Sequence, residues 1–124
     1  MNRGKTFFLY DYNLYSQNNM FYKSGCEQVE KIARLCQNLK IPVVVFMLPY
    51  RYQYLQIVND PWIPQQLIGD KWESVDIPTF DARNAFQTED IDSYFLYGDP
   101  MHLSAKGHYQ LASFVIQKLK KKVL

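Results

Sequence analysis

Two residue types capable of acid–base chemistry stand three positions apart in the segment Tyr97-Gly98-Asp99-Pro100-Met101-His102-Leu103-Ser104-Ala105-Lys106-Gly107-His108. In a loop stiffened by Pro100, that spacing lets the Asp99 carboxylate accept the Nδ1–H of His102. The carboxylate then holds one tautomer and leaves Nε2 free as a general base. The alternative is a surface histidine beside an acidic loop, since short D-x-x-H patterns arise readily by chance. Tyr50 and Arg51 form a second candidate group. They are placed to line a substrate cleft, with Arg51 pairing an anionic group; the alternative is a partly exposed amphipathic turn. Asp81, Asp99, His102 and His108 are residue types that suit a divalent ion. The two histidines lack a recognised ligand spacing, so no metal site and no cofactor is assigned. His108 is read as a packing residue in the first turns of a helix.

The elements that must position these residues follow from the apolar pattern. Phe7-Phe8-Leu9-Tyr10 reads as a short buried strand and 11–23, rich in Asn, as a loop. Ser24 followed by Glu27 is the capping-box pattern, and Cys26, Val29, Ile32, Ala33, Cys36 and Leu39 recur at helical spacing. Pro42 ends that helix near Leu39-Lys40. The continuous apolar run 43–48 predicts a strand buried on both faces, as in a parallel sheet covered by helices. Residues 50–58 are compatible with a helix, and 61–74 give no clear signal. Residues 75–80 suggest a last strand with Asp81 just past its end, and 84–98 read as irregular. Ser104 is an N-cap for a final helix carrying Leu111, Ala112, Val115, Ile116 and Leu119 on one face. Strands alternating with helices predict an α/β layered fold with a parallel sheet. Three strands make a thin sheet, so 1–124 reads as one partial domain.

The segment from Asp99 to His108, followed by an apolar helix, resembles the last block of the SGNH (GDSL-like) hydrolases. The helix before Ile41-Pro42-Val43-Val44-Val45-Phe46-Met47-Leu48-Pro49, and that run as an interior strand, agree with the family in order. The resemblance implies a three-layer α/β/α fold with a mostly parallel sheet. It also implies ester hydrolysis or O-acyl transfer on a small-molecule, lipid or carbohydrate ester, with Asp99 and His102 as the acid–base pair of a Ser-His-Asp triad. Asp11-Tyr12-Asn13 is a degraded echo of the family's G-x-N-D block, which would make Asn13 the oxyanion-hole donor; the alternative is a turn-forming Asn. The family's G-D-S nucleophile block is not in this sequence. Ser16, Ser24, Ser74, Ser93, Ser104 and Ser113 read instead as caps, helix surface or loop residues. The expectation is therefore a C-terminal portion of such a domain whose serine comes from elsewhere. The rival expectation is a non-catalytic remnant used for binding or assembly, in which an unpaired sheet edge recruits a second copy or a partner segment.

Composition bounds these readings. The 124 residues are 48% apolar and 21% charged, which suits one folded domain and excludes disordered and collagen-like classes. Fourteen basic against twelve acidic residues leave +2, with Lys118, Lys120, Lys121 and Lys122 grouped at the end, so no nucleic-acid partner is expected. That lysine group is read as a solvated helix end complementing the dipole. Cys26 and Cys36 lie about 15 Å apart along one helix, beyond disulfide reach, and read as small core residues. The opening apolar run is too short for a signal peptide or a membrane span, and no compartment follows. A flavodoxin-like binding domain lacks its Gly-rich phosphate loop.

Overall fold

The computed structural model describes residues 3–16 and 18–123, with side chains to Lys121. Helix α1 spans Arg3–Leu14 and α2 spans Met20–Asn38. Strand β1 (Val45–Met47) leads to the short helix α3 (Arg51–Tyr54) and to α4 (Ile63–Glu73). Strand β2 (Thr79–Asp81) is followed by 3-10 segments at Ala82–Ala85 and Thr88–Tyr94, and the chain closes with α5 (Ala105–Val123). The class is mixed α/β, predominantly helical, with a two-stranded parallel sheet among the described residues. None of their helices is long and apolar enough to cross a membrane.

The N-terminal expectations are corrected. Phe7–Tyr10 is helix, not strand, because only Phe8 of the four is buried and its neighbours follow helical spacing. Gly4, Phe8, Asp11, Tyr12 and Tyr15 share the inward side, while Phe7 and Tyr10 remain exposed. Phe8 is wedged among the rings of Tyr12, Tyr50 and Tyr52, with centroids at 5.8, 5.7 and 6.1 Å. The predicted loop 11–23 is helical at both ends. Helix α2 is capped by Asn19, whose side chain accepts the N–H groups of Phe21 and Tyr22. Ser24 therefore lies inside the helix, and the apparent capping box is not the start. Val29 and Ala33 of the expected stripe are buried, while Cys26 and Cys36 are half-buried free thiols. At the other end Lys40 takes a positive φ of 54° and the N–H of Ile41 reaches back to the Cys36 carbonyl, turning the chain into Pro42.

The sheet is shorter than the apolar runs suggested. Val45 pairs with Thr79, Phe46 with Phe80 and Met47 with Asp81, so Asp81 closes β2 and does not follow it. Met47 faces α4, where a Cβ on Gly69 would sit 3.2 Å from its Cε. Phe46 faces the other way, stacking on Phe80 at 5.3 Å and meeting Phe114 of α5 edge-on at 6.3 Å. Lys118 lies over Phe80 and Phe114, so this lysine covers the sheet and is not simply solvated. Met47 and Phe46 thus contact different helices, α4 and α5. Even so, Val43 to Met47 are only half-buried, because no strand flanks the far edge of β1 among the described residues. The unread stretch 61–74 is mostly α4.

The tightest apolar cluster lies where the sequence looked irregular: Phe86, Ile91, Tyr94, Phe95 and Leu103, backed by Tyr54, Ala85 and Leu111. Helix α5 docks on it very closely. A Cβ on Gly107 would fall 2.1 Å from the Tyr94 carbonyl oxygen, so only glycine allows the approach. A second internal tie is polar. Gln53 and Gln65, 0% and 5% exposed, exchange amide hydrogen bonds at 2.7 and 3.1 Å. Gln53 also accepts the Tyr50 N–H and donates to the Pro61 carbonyl, and Gln65 donates to the Leu48 carbonyl.

Gly107 and Gly25 are both helical, yet alanine should act in opposite directions. Gly25 meets nothing within 4 Å, so Gly25→Ala is expected to stabilise by about 0.5–1 kcal/mol through helix propensity. Gly107→Ala collides with backbone and is expected to destabilise by about 2 kcal/mol despite the same propensity gain. Urea unfolding of the two variants reads the signs directly, and a stabilised Gly107→Ala would remove the close approach from the account.

Candidate active site

The Asp99–His102 loop is a closed excursion from the apolar cluster. Phe95 and Leu103, both buried, pair as an antiparallel bridge at its neck, and the Leu96 N–H bonds the His102 carbonyl at 2.9 Å. A turn from Leu96 to Asp99, with the Asp99 N–H on the Leu96 carbonyl, sets the far side. Gly98 occupies it with φ +72°, the left-handed region glycine enters without strain. Ser104 anchors the exit. Its hydroxyl donates to the Ser93 carbonyl and accepts the Gly107 N–H, while its own N–H bonds the Tyr94 carbonyl. Ser104 therefore caps α5 as the sequence indicated.

Within this frame Asp99 works twice. Its Oδ1 accepts the backbone N–H groups of Met101 and His102 at 2.9 and 2.8 Å, and its Oδ2 lies 2.7 Å from His102 Nδ1. The tautomer with hydrogen on Nδ1 satisfies that contact by donating to the carboxylate. The His102 ring is 68% exposed, so the opposite nitrogen faces an open cleft. The backbone N–H of His102 first, and then that of Met101, holds the Asp99 carboxyl below the usual carboxylate range. Its contribution to folding is present above the unfolded-state value, near pH 4, and is lost as pH falls through the lowered folded value.

The cleft beside His102 has a volume of about 380 Å³ and is formed by the loop together with Arg3, Gly4 and Phe7 of α1. A Cβ on Gly4 would stand 3.4 Å from the Gly98 carbonyl oxygen and 3.3 Å from the Tyr52 hydroxyl, so α1 sits directly on the loop. Arg51 supports the loop from below: its N–H bonds the Pro100 carbonyl at 2.8 Å. Its guanidinium pairs with Asp92 at 2.7 Å, so it is already engaged by a carboxylate. Tyr50 points elsewhere and donates its hydroxyl to Asp11 Oδ2 at 2.6 Å. Of the two proposed cleft residues, then, Arg51 reaches the loop and Tyr50 braces α1.

Asn13 is not brought to the pair. It lies exposed on α1, nine residues beyond Gly4 and so about 13 Å further along the axis. The strand that should precede it is helix, which removes the basis of the oxyanion assignment. His108 is exposed on α5, not packed. The hydroxyls of Ser74, Ser93 and Ser113 donate to carbonyls of their own helical segments, and Ser16 accepts the Asn18 N–H. Among the described residues no serine hydroxyl bonds His102, and no group of three His, Cys, Asp or Glu side chains is arranged to hold a metal ion. The contribution of α1 to the cleft was missed from sequence, since Arg3, Gly4 and Phe7 carry no motif. Compared with protein-family models, with curated proteins and with solved structures, the chain matches none.

The Asp99–His102 contact has a readout independent of turnover. Asp99→Asn keeps an oxygen for the Met101 and His102 N–H groups but presents an N–H to His102 Nδ1, which reverses the favoured tautomer. Long-range ¹H–¹⁵N spectra of the imidazole are expected to show hydrogen on Nδ1 in the parent and on Nε2 in the variant. An unchanged tautomer would mean that Asp99 does not orient the ring.

Proposed function

We propose that this chain carries the acid–base half of an SGNH-type (GDSL-like) ester hydrolase or O-acyl transferase. The observation that carries the reading is the 2.7 Å contact between Asp99 and His102 Nδ1, with the ring otherwise open to the cleft. In that role His102 Nε2 takes the proton of an attacking hydroxyl as the ester carbonyl is attacked, then returns it to the departing alkoxide. Asp99 stays ionised and stabilises the imidazolium formed between the two steps. The attacking hydroxyl is a serine brought to the cleft by a further segment, or water. The substrate class is a small-molecule, lipid or carbohydrate ester, and no cofactor enters the reaction.

The proposal includes a finer architecture, a three-layer α/β/α arrangement of SGNH type. The contacts of Met47 with α4 and of Phe46 with α5 support it, because a strand between two helical layers would make contacts of this kind. The sheet of that arrangement continues past β1. Arg51 positions the loop through its backbone, and neither Tyr50 nor Asn13 has a role in this reading.

One observation favours a second reading, assembly without catalysis. The Val45 N–H bonds Pro78 of the β2 side, so in a parallel ladder the backbone groups of Val44 and Phe46 face away from β2. Ile41 and Leu48, about half exposed, flank that edge. Such an edge suits a second copy or an added partner strand. Sedimentation equilibrium giving a concentration-independent monomer would remove self-association through it.

The catalytic reading is tested on the full chain with a short-chain aryl ester. His102→Ala is expected to lower the rate at least about a hundredfold, the low end for a positioned general base, while His108→Ala leaves it unchanged. A measurable rate left unchanged by His102→Ala would overturn the proposal.

A further inference from the structure

A second cavity, of about 190 Å³, opens between α1, α2 and α4, away from His102. Three aromatic residues line it, Tyr15, Phe21 and Tyr22, with Leu14 and Ile68 completing an apolar wall. One charged group lines it too, the carboxylate of Asp11. Asp11 is a half-buried residue, and its Oδ2 accepts the Tyr50 hydroxyl at 2.6 Å. Oδ1 accepts no hydrogen bond, and no basic side chain pairs with Asp11 among the described residues.

A carboxylate with one hydrogen-bonded oxygen and no ion-paired cation is available as a counter-charge to a ligand. Its charge is felt inside the cavity: burial first, and then Asp11, raises the Tyr15 hydroxyl above its ordinary value. The wall is also held in place. Tyr22 donates its hydroxyl to the Leu67 carbonyl at 3.2 Å, and burial with the Cys26 contact pushes it up to about 12. It remains a neutral phenol across physiological pH. Aromatic surface attracts cations electrostatically, most strongly when the cation is weakly hydrated and the site partly dry. A primary ammonium or metal ion would demand more hydrogen-bond or oxygen partners than one carboxylate supplies. The volume is below that of a drug-sized site, about 300 Å³ and above, yet has room for a methylated ammonium head.

We infer that the cavity between α1 and α2 binds a small quaternary or methylated ammonium ion, with Asp11 as counter-charge and Tyr15, Phe21 and Tyr22 as its aromatic wall. This assignment is independent of the ester-hydrolase reading, because none of these residues lines the His102 cleft.

The probe is tetramethylammonium chloride, titrated into the full chain at constant ionic strength while the Tyr15 and Tyr22 ring resonances are followed. Saturable shifts in the millimolar range are expected. 3,3-Dimethylbutan-1-ol, the uncharged isostere of choline, should bind at least about tenfold more weakly than choline, the factor equivalent to about 1.4 kcal/mol of charge preference. Asp11→Asn, which keeps an acceptor for the Tyr50 hydroxyl, should weaken tetramethylammonium by a similar factor. Equal binding of charged and neutral probes to the parent protein would overturn the assignment whether or not the variant folds. So would the absence of saturation. Free choline reproducing the shifts would support a free ligand, whereas shifts caused only by phosphatidylcholine vesicles would overturn it in favour of a lipid surface.

Discussion

The reciprocal amide pair of Gln53 and Gln65 is the interaction on which the middle of the molecule depends. Two uncharged side chains are almost wholly withdrawn from water, so the donors and acceptors they carry must find partners inside. They do so by joining the end of β1 at Leu48, the start of α3 at Tyr50, the Pro61 turn and α4. Removing one amide would leave its partner's groups unsatisfied, which costs more than the net worth of the bonds themselves. The segment fixed in this way delivers the Arg51 N–H to the Pro100 carbonyl and Tyr52 to the space beneath Gly4. The geometry of the Asp99–His102 loop is thus set from a polar knot in the chain's interior.

Seen from that frame, most of the motif that suggested chemistry has a mechanical role. Leu103 plugs the apolar cluster, Ser104 caps α5, and Gly107 lets α5 approach the Tyr94 carbonyl. Asp99 closes two backbone N–H groups of its own turn. Each of these residues would be required for folding even in a protein with no activity. The His102 imidazole differs from all of them. It is exposed, and among the described residues it bonds the carboxylate that orients it and no other side chain. The functional argument therefore rests on one ring and its partner, not on the length of the matching segment.

What could be read from sequence divides along the same physical line. The α5 start, the Asp99–His102 contact and the existence of a strand within 43–48 depend on local capping, short-range geometry and β-branched character, which neighbouring residues encode. Helix α1 was misread because four adjacent aromatic or aliphatic residues have no period of their own. Its helicity shows only in the wider spacing Gly4, Phe8, Asp11, Tyr15. The apolar cluster in 86–103 was missed because 3-10 segments and loops have no repeating stripe. Its residues converge through tertiary contacts alone. Asn13 followed from the α1 error directly: with the strand gone, the residue faces solvent on a helix.

Helix α1 is also the part that joins the two cavities. Its first turn forms a wall of the His102 cleft through Arg3, Gly4 and Phe7, and its last turn brings Asp11 and Leu14 to the aromatic cavity. Between them a single buried side chain, Phe8, holds the helix to the body, helped by the Tyr50–Asp11 bond and by Tyr12 donating to the Asp60 carbonyl. Burial of one phenylalanine is worth about 2–3 kcal/mol, a modest anchor for twelve residues. The two cavities lie at opposite ends of this one helix. A ligand in either cavity acts on the other only through its preference for one placement of that helix, and by linkage the effect on affinity is equal in both directions.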